Sequence, residues 1–199
     1  VYFNTTTSLI RLTKKVFGTG AWAAGGALNT ARGGLGSAQA GTQTAALAFA
    51  GESPGGNQAI TESYNGTSWT EVNDMNTARQ NLAGAGTQAL ALAFGGNLPP
   101  DQNFTEEFDG TSWSEQNNLN SGRAGLKGTG TQTAALAFSG TNGGTNRQTT
   151  TEKYDGTSWT EVNDLNTART DAGAFGTLQS NSLCAGGNTS PGANYIANV

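Results

Sequence analysis

Hydrophobic positions in this chain recur with a period of two, in short runs. Residues 42–49 read Thr-Gln-Thr-Ala-Ala-Leu-Ala-Phe, which puts Leu47 and Phe49 on one face and Ala46 and Ala48 on the other. That alternation of large and small is the pattern of a β-strand. Closely similar runs occupy 87–94 and 131–138, and each ends in a glycine pair or near-pair: Ala50-Gly51, Gly95-Gly96 and Ser139-Gly140. Gly186-Gly187 closes a degraded copy around Leu183-Cys184-Ala185. A Gly-rich stretch before each run, such as Arg79 to Gly86, predicts a preceding strand. After it, Thr61-Glu62-Ser63-Tyr64-Asn65-Gly66-Thr67-Ser68-Trp69-Thr70-Glu71-Val72 predicts a hairpin.

Asn65-Gly66, Asp109-Gly110 and Asp155-Gly156 are strong signals for two-residue type I′ turns, whose central residues both need positive φ. Such a turn sets Glu62 opposite Trp69, whereas a four-residue loop would set Glu62 against Glu71. Facing like charges are unfavourable, so the tight turn is expected. In either register Tyr64 shares a face with Trp69, Phe108 with Trp113 and Tyr154 with Trp159.

The four-strand unit is repeated. Trp22, Trp69, Trp113 and Trp159 are followed six residues later by Leu28, Met75, Leu119 and Leu165, and then by Asn, Thr or Ser, Ala or Gly, and Arg. A period of about 40–50 residues marks propellers and solenoids, and a four-stranded antiparallel unit of that length is a propeller blade. The expected architecture is therefore all-β, with about four four-stranded antiparallel blades, either complete or part of a larger ring. Residues 1–15 are expected to form a strand or linker, and residues 16–199 the repeats. Val16 to Trp22 matches the tail of the hairpin, while the C-terminal copy stops near Tyr195-Ile196. Closure of four blades by the N-terminal hairpin, membership of a larger ring and closure between chains all remain open. The only methionine is Met75, so the chain is expected to be processed or part of something longer.

The order of Arg, Gly-Gly, aromatic and Trp resembles the kelch repeat over about residues 16–199. The Asn-Thr-Ala-Arg and Gly-Thr-Ser-Trp phrasing resembles kelch-type repeats in virion proteins of tailed bacteriophages. The resemblance implies a kelch-type β-propeller in a tail or fibre protein on the exterior of the phage particle. Its expected partners are other virion proteins and a host-surface glycan or receptor. Copper oxidases on a kelch scaffold use histidine ligands, and this chain has no histidine.

Composition narrows the chemistry. The net charge is −4, and only 12% of residues are charged. Ten Lys and Arg scattered along the chain do not make a nucleic-acid footprint. The single cysteine, Cys184, excludes an intramolecular disulfide, and with no histidine there is no Cys/His zinc site. Cys184 falls in a predicted strand and is expected to be a buried, inert thiol. No apolar run is long enough for a membrane-spanning helix, and no membrane insertion is expected. No cofactor is expected either: Gly-x-Ser-x-Gly and P-loop motifs are missing, and the Gly-rich stretches 51–56 and 140–144 join strand to strand.

The recurrent acids Glu62, Glu106 and Glu152, then Glu71, Glu115 and Glu161, occur once per unit, and Asp74 and Asp164 recur in two of the units. A catalytic pair would be singular and held in unlike environments, so structural or solvated roles are expected. Arg32, Arg79, Arg123 and Arg169 would either line a channel and bind anions, or hold loop carbonyls and the repeated acids. Their repetition favours the second role.

The copies disagree in the loop between the second and third strands. Up-and-down blades place these loops on the same face as the Asn-Thr-Ala-Arg connections, with the Asn-Gly turns opposite. Binding residues concentrate in loops on rigid scaffolds. The candidates are Asn57, Gln58, Asn97, Asp101, Asn103, Asn142, Asn146, Arg147, Asn188 and Asn194. The expected function is non-enzymatic binding of host glycans, with possible homo-oligomerisation. A purely architectural virion component is the alternative, and a glycan-cleaving enzyme the third.

Overall fold

The computed structural model describes residues 25–190. The 1–15 segment, Trp22 and the hairpin around it, Asn194 and Tyr195-Ile196 lie outside the described residues.

The chain is all-β, laid out as successive four-stranded antiparallel blades. Blade one contains β1 (Gly36–Ser37), β2 (Ala46–Phe49), β5 (Thr61–Tyr64) and β6 (Trp69–Val72) in that order across the sheet. Its second loop carries a small ribbon, β3 (Glu52–Ser53) with β4 (Gly56–Asn57). Blade two is β7 (Ala83–Gly86), β8 (Ala91–Phe94), β9 (Thr105–Phe108) and β10 (Trp113–Gln116). Blade three is β11 (Lys127–Thr131), β12 (Ala134–Phe138), β15 (Thr151–Tyr154) and β16 (Trp159–Glu161), with a second-loop ribbon of β13 (Thr141–Asn142) and β14 (Asn146–Arg147). Of blade four the described residues hold β17 (Gly173–Phe175), a 3₁₀ turn at Gln179–Asn181 and β18 (Leu183–Ala185).

The large–small alternation becomes a packing rule between blades. Leu47 and Phe49 leave blade one and meet Ala91 and Ala93 of blade two in one buried cluster. On the opposite face of blade two, Leu92 and Phe94 meet Ala135 and Ala137 of blade three in a second cluster. Alanine keeps the receiving face flat, so bulky side chains seat on it. Full burial of a Leu or Phe is worth about 1.5–3 kcal/mol. The hydrophobic core therefore lies between sheets, a propeller-like arrangement.

First strands of successive blades are neighbours, and glycine permits the approach. A Cβ on Gly84 would lie 2.7 Å from Phe49 Cζ, and one on Gly128 would lie 2.7 Å from the carbonyl oxygen of Gly84.

Aromatics and amides fasten adjacent blades together. Tyr64–Trp69, Phe108–Trp113 and Tyr154–Trp159 pair within blades, with ring centroids 5.0, 5.1 and 4.9 Å apart. Trp113 also meets Phe49 across the interface at 5.0 Å, and Trp159 meets Phe94 at 4.9 Å. Gln88 donates to the carbonyls of Ala46 and Tyr64, Gln132 to those of Ala91 and Phe108, and Gln179 to those of Ala135 and Tyr154. Each glutamine thus bridges two strands of the preceding blade.

The hairpin register differs from expectation. Tyr64 faces Trp69, Ser63 faces Thr70 and Glu62 faces Glu71, so the connection is a four-residue loop. The same register sets Glu106 against Glu115 and Glu152 against Glu161. Two physical effects overturn the charge argument. Glu62 is buried and paired with Arg32, while Glu71 faces solvent, so their repulsion is weak. Asn65 Oδ1 also accepts the amides of Thr67 and Ser68 at 2.9 and 3.0 Å, forming an Asx turn. Gly66 alone of the Asn-Gly pair has positive φ, +94°, which rules out type I′.

Candidate functional site

The loop face is built on a repeated clamp. In blade two, Glu106 accepts hydrogen bonds from Asn76 N at 2.7 Å and Asn76 Nδ2 at 3.1 Å, and pairs with Arg79. Arg79 Nε donates to the Gly95 carbonyl at 2.9 Å. The Asn-Thr-Ala-Arg linker is thereby locked to the second and third strands it precedes. Arg32–Glu62 repeats the pair in blade one, and Arg123–Glu152 repeats it at 2.8 Å in blade three. These three guanidinium groups are engaged with protein partners and do not form an anion-binding channel. Arg169 donates to the carbonyls of Thr167 and Gly186. Glu71, Glu115 and Glu161 face solvent.

Two residues past each arginine, the chain takes a left-handed turn. Gly34, Asn81, Gly125 and Asp171 have φ of 59°, 53°, 61° and 54°. Asn81 N donates to the Gly34 carbonyl at 2.7 Å, Gly125 N to that of Asn81 at 2.8 Å, and Asp171 N to that of Gly125 at 3.2 Å. A ladder of main-chain bonds thus runs from blade to blade. Gly, Asn and Asp are the residues that adopt this conformation at least cost. Their recurrence two places after each arginine was the available sequence signal for this ladder.

The variable loops share this end of the molecule, because their first residues bridge to the segments after the arginines: Gly33 with Glu52, Gln80 with Asn97, Ala124 with Thr141 and Thr170 with Asn188. The Asn-Gly and Asp-Gly turns lie at the other end, where Gly66 adjoins Thr44 and Gly156 adjoins Thr133.

Neighbouring loops are tied together. Asn57 Nδ2 donates to the Asn97 carbonyl at 3.1 Å. Asp101 accepts from Asn97 Nδ2 at 2.7 Å and, across the blade boundary, from Gly144 N at 3.3 Å. Between these loops lies an open cleft of about 360 Å³. Asn97 and Asp101 of blade two and Arg147 of blade three line it, together with Asn81, Thr141, Thr170 and Asp171.

The other candidates are placed elsewhere. Gln58 Nε2 is spent on its own loop, on Ser53 Oγ and the Gly56 carbonyl. Asn103 donates to the Leu119 carbonyl and secures the exit from β10. Asn142 reaches Ser121 Oγ at 3.3 Å, and Asn146 accepts Gln148 Nε2 on its carbonyl. Asn188 pairs through its backbone with Thr170 and caps Ser190 N at 3.1 Å. Cys184 lies in β18 as expected but is half-buried, and that burial pushes its thiol pKa up, against the influence of Arg169.

Asn81 and Asp171, which enter the cleft from the left-handed ladder, were not among the sequence candidates. With Arg147 donating, carboxylates accepting and amide and hydroxyl groups doing both, the cleft offers many small polar contacts. Among the described residues no group of three or more His, Cys, Asp or Glu side chains could hold a metal ion. Compared with known proteins, the chain matches no protein-family model and no curated protein.

Proposed function

We propose that this chain is a non-enzymatic, kelch-type propeller component of the exterior of a tailed phage, in a tail or fibre protein, and that its loop face binds host-surface glycans. The observation that carries this reading is the convergence of Asn97, Asp101 and Arg147 on one polar cleft. These residues come from loops that differ between copies, and hydrogen bonds hold those loops together. A rigid, repeated scaffold under divergent polar loops is a recognition design. Sugar hydroxyls are matched by such mixed donors and acceptors, and several copies on one particle would add avidity.

The test is adsorption of the purified chain to host cells, with glycan-array binding as the molecular readout. Wild type is expected to adsorb and to compete with the phage. Arg147→Ala and Asp101→Ala should each weaken glycan binding by about 1–3 kcal/mol, as for loss of a hydrogen bond to a charged group. A wild-type chain that neither adsorbs to the host nor competes with the phage would end this reading.

A further inference from the structure

We propose that Asn142-Gly143 is a self-modification site, where the main chain cyclises, converts Asn142 to isoaspartate and aspartate, and so unties the loops of blades two and three. This is independent of what the loop face binds. The chemistry needs an Asn or Asp followed by glycine, because the next main-chain nitrogen is the nucleophile and glycine leaves it unhindered and free to turn. Four such pairs occur: Asn65-Gly66, Asp109-Gly110, Asn142-Gly143 and Asp155-Gly156.

The fold locks three of them. Asn65 Oδ1 accepts the amides of Thr67 and Ser68 at 2.9 and 3.0 Å. Asp109 Oδ1 accepts those of Thr111 and Ser112 at 2.8 Å each, and Asp155 Oδ1 those of Thr157 and Ser158 at 2.8 Å each. The side-chain carbon cannot swing onto the glycine nitrogen until both bonds break. The two Asp carboxyls have a second protection. Hydrogen bonds from the Ser112 and Thr111 amides, and from the Ser158 and Thr157 amides, hold their pKa below the usual carboxylate range, so they are ionised and poor electrophiles.

Asn142 has no such lock. It is exposed, and among the described residues its side chain makes one hydrogen bond, from Nδ2 to Ser121 Oγ at 3.3 Å. Its strand, β13, ends at Asn142 and pairs with β14 over two residues only. Gly143 and Gly144 follow with φ of 65° and 80°, and a Cβ on either would meet nothing within 4 Å. The chain there has room to bring Gly143 N onto Asn142 Cγ.

As that N–C bond forms, the Cγ–Nδ2 bond breaks, and the Gly143 amide proton leaves with the departing nitrogen as ammonia. Water then opens the resulting succinimide at either carbonyl. One route gives aspartate. The other gives isoaspartate, whose main chain runs through Cγ and is one carbon longer. Gly144 N, just beyond the inserted carbon, is the donor that reaches Asp101 across the blade boundary at 3.3 Å. Lengthening the chain shifts that donor, and the new carboxylate adds a negative charge to the loop that Asp101 holds. Both effects loosen the tie.

The test is ageing of the folded full chain in mildly alkaline buffer, followed by tryptic mapping and isoaspartyl-methyltransferase labelling. Trypsin separates the two Asn-Gly pairs, into peptides 33–79 and 128–147. Isoaspartate should accumulate in 128–147 roughly thirtyfold faster than in 33–79, the factor set by breaking two ordinary hydrogen bonds at Asn65. Asn142→Gln, which would have to close a larger ring, should remove the label from 128–147. In urea the two pairs should react at similar rates, since only the fold distinguishes them. Hydrogen exchange at the Gly144 amide should be severalfold faster in the aged chain than in the fresh one. Equal rates at Asn65 and Asn142 in the folded chain overturn the proposal, as does a difference that persists in urea. Unchanged Gly144 exchange after conversion overturns the loosening of the loops.

Discussion

Glu106→Ala isolates the clamp that holds the loop face to its blade. The substitution leaves Arg79, which has no solvent exposure, without its carboxylate partner, and leaves Asn76 N without its acceptor. Breaking a buried ion pair from one side destabilises by about 3–5 kcal/mol, because a desolvated charge is left uncompensated. That is a large fraction of the roughly 5–15 kcal/mol that holds an ordinary domain folded. The double variant Arg79→Ala/Glu106→Ala leaves no stranded charge, so its loss should fall short of the summed singles by about 2–3 kcal/mol. Glu115→Ala is the control. It faces Glu106 directly but lies in solvent, and should change stability by less than about 0.5 kcal/mol. The assay is urea unfolding at neutral pH, followed by both tryptophan fluorescence and circular dichroism, since repeat arrays can unfold blade by blade. A Glu106→Ala loss below about 1 kcal/mol, typical of an exposed pair, would refute the clamp, as would additivity in the double variant.

Two further outcomes follow from individual residues. The Glu62 carboxyl is pushed up by burial but more strongly held down by hydrogen bonds from Arg32, Asn29 and Thr30, so its folded pKa lies below the ordinary 4.5. Its contribution to stability is complete above 4.5 and is lost as the pH falls through the folded value. Urea midpoints measured through that range should fall less steeply in Glu62→Gln, and an identical slope would contradict the assignment. At Asn81, φ of 53° penalises an ordinary side chain. Asn81→Ala should lower stability by about 1–2 kcal/mol while Asn81→Gly stays near wild type, as read by thermal melts. Equal effects would show that conformation is not what selects Asn there.

Much of the fold was legible because the signals are local and repeated. Large–small alternation along 46–49 named both faces of a strand, and the Tyr–Trp spacing named the pairs that meet in each hairpin. The hairpin register was misjudged for a non-local reason: Glu62 is neutralised by Arg32, thirty residues earlier in the chain. The loops were recognised as the divergent part, but among the described candidates only Asn97, Asp101 and Arg147 converge on the cleft. Gln58 and Asn103 are instead spent on their own loop and strand. Asn81 and Asp171 passed unnoticed because their significance lies in backbone conformation, not in side-chain pattern.

By itself the sequence determined the repeated unit, its strands and which face of each strand is bulky, because periodicity is a property of neighbours along one chain. Only the tertiary structure decided the hairpin register, the blade-to-blade ladder and the cleft. Each of these depends on groups from different repeats meeting in space. Burial and charge neutralisation there outweigh the local preferences that a sequence displays.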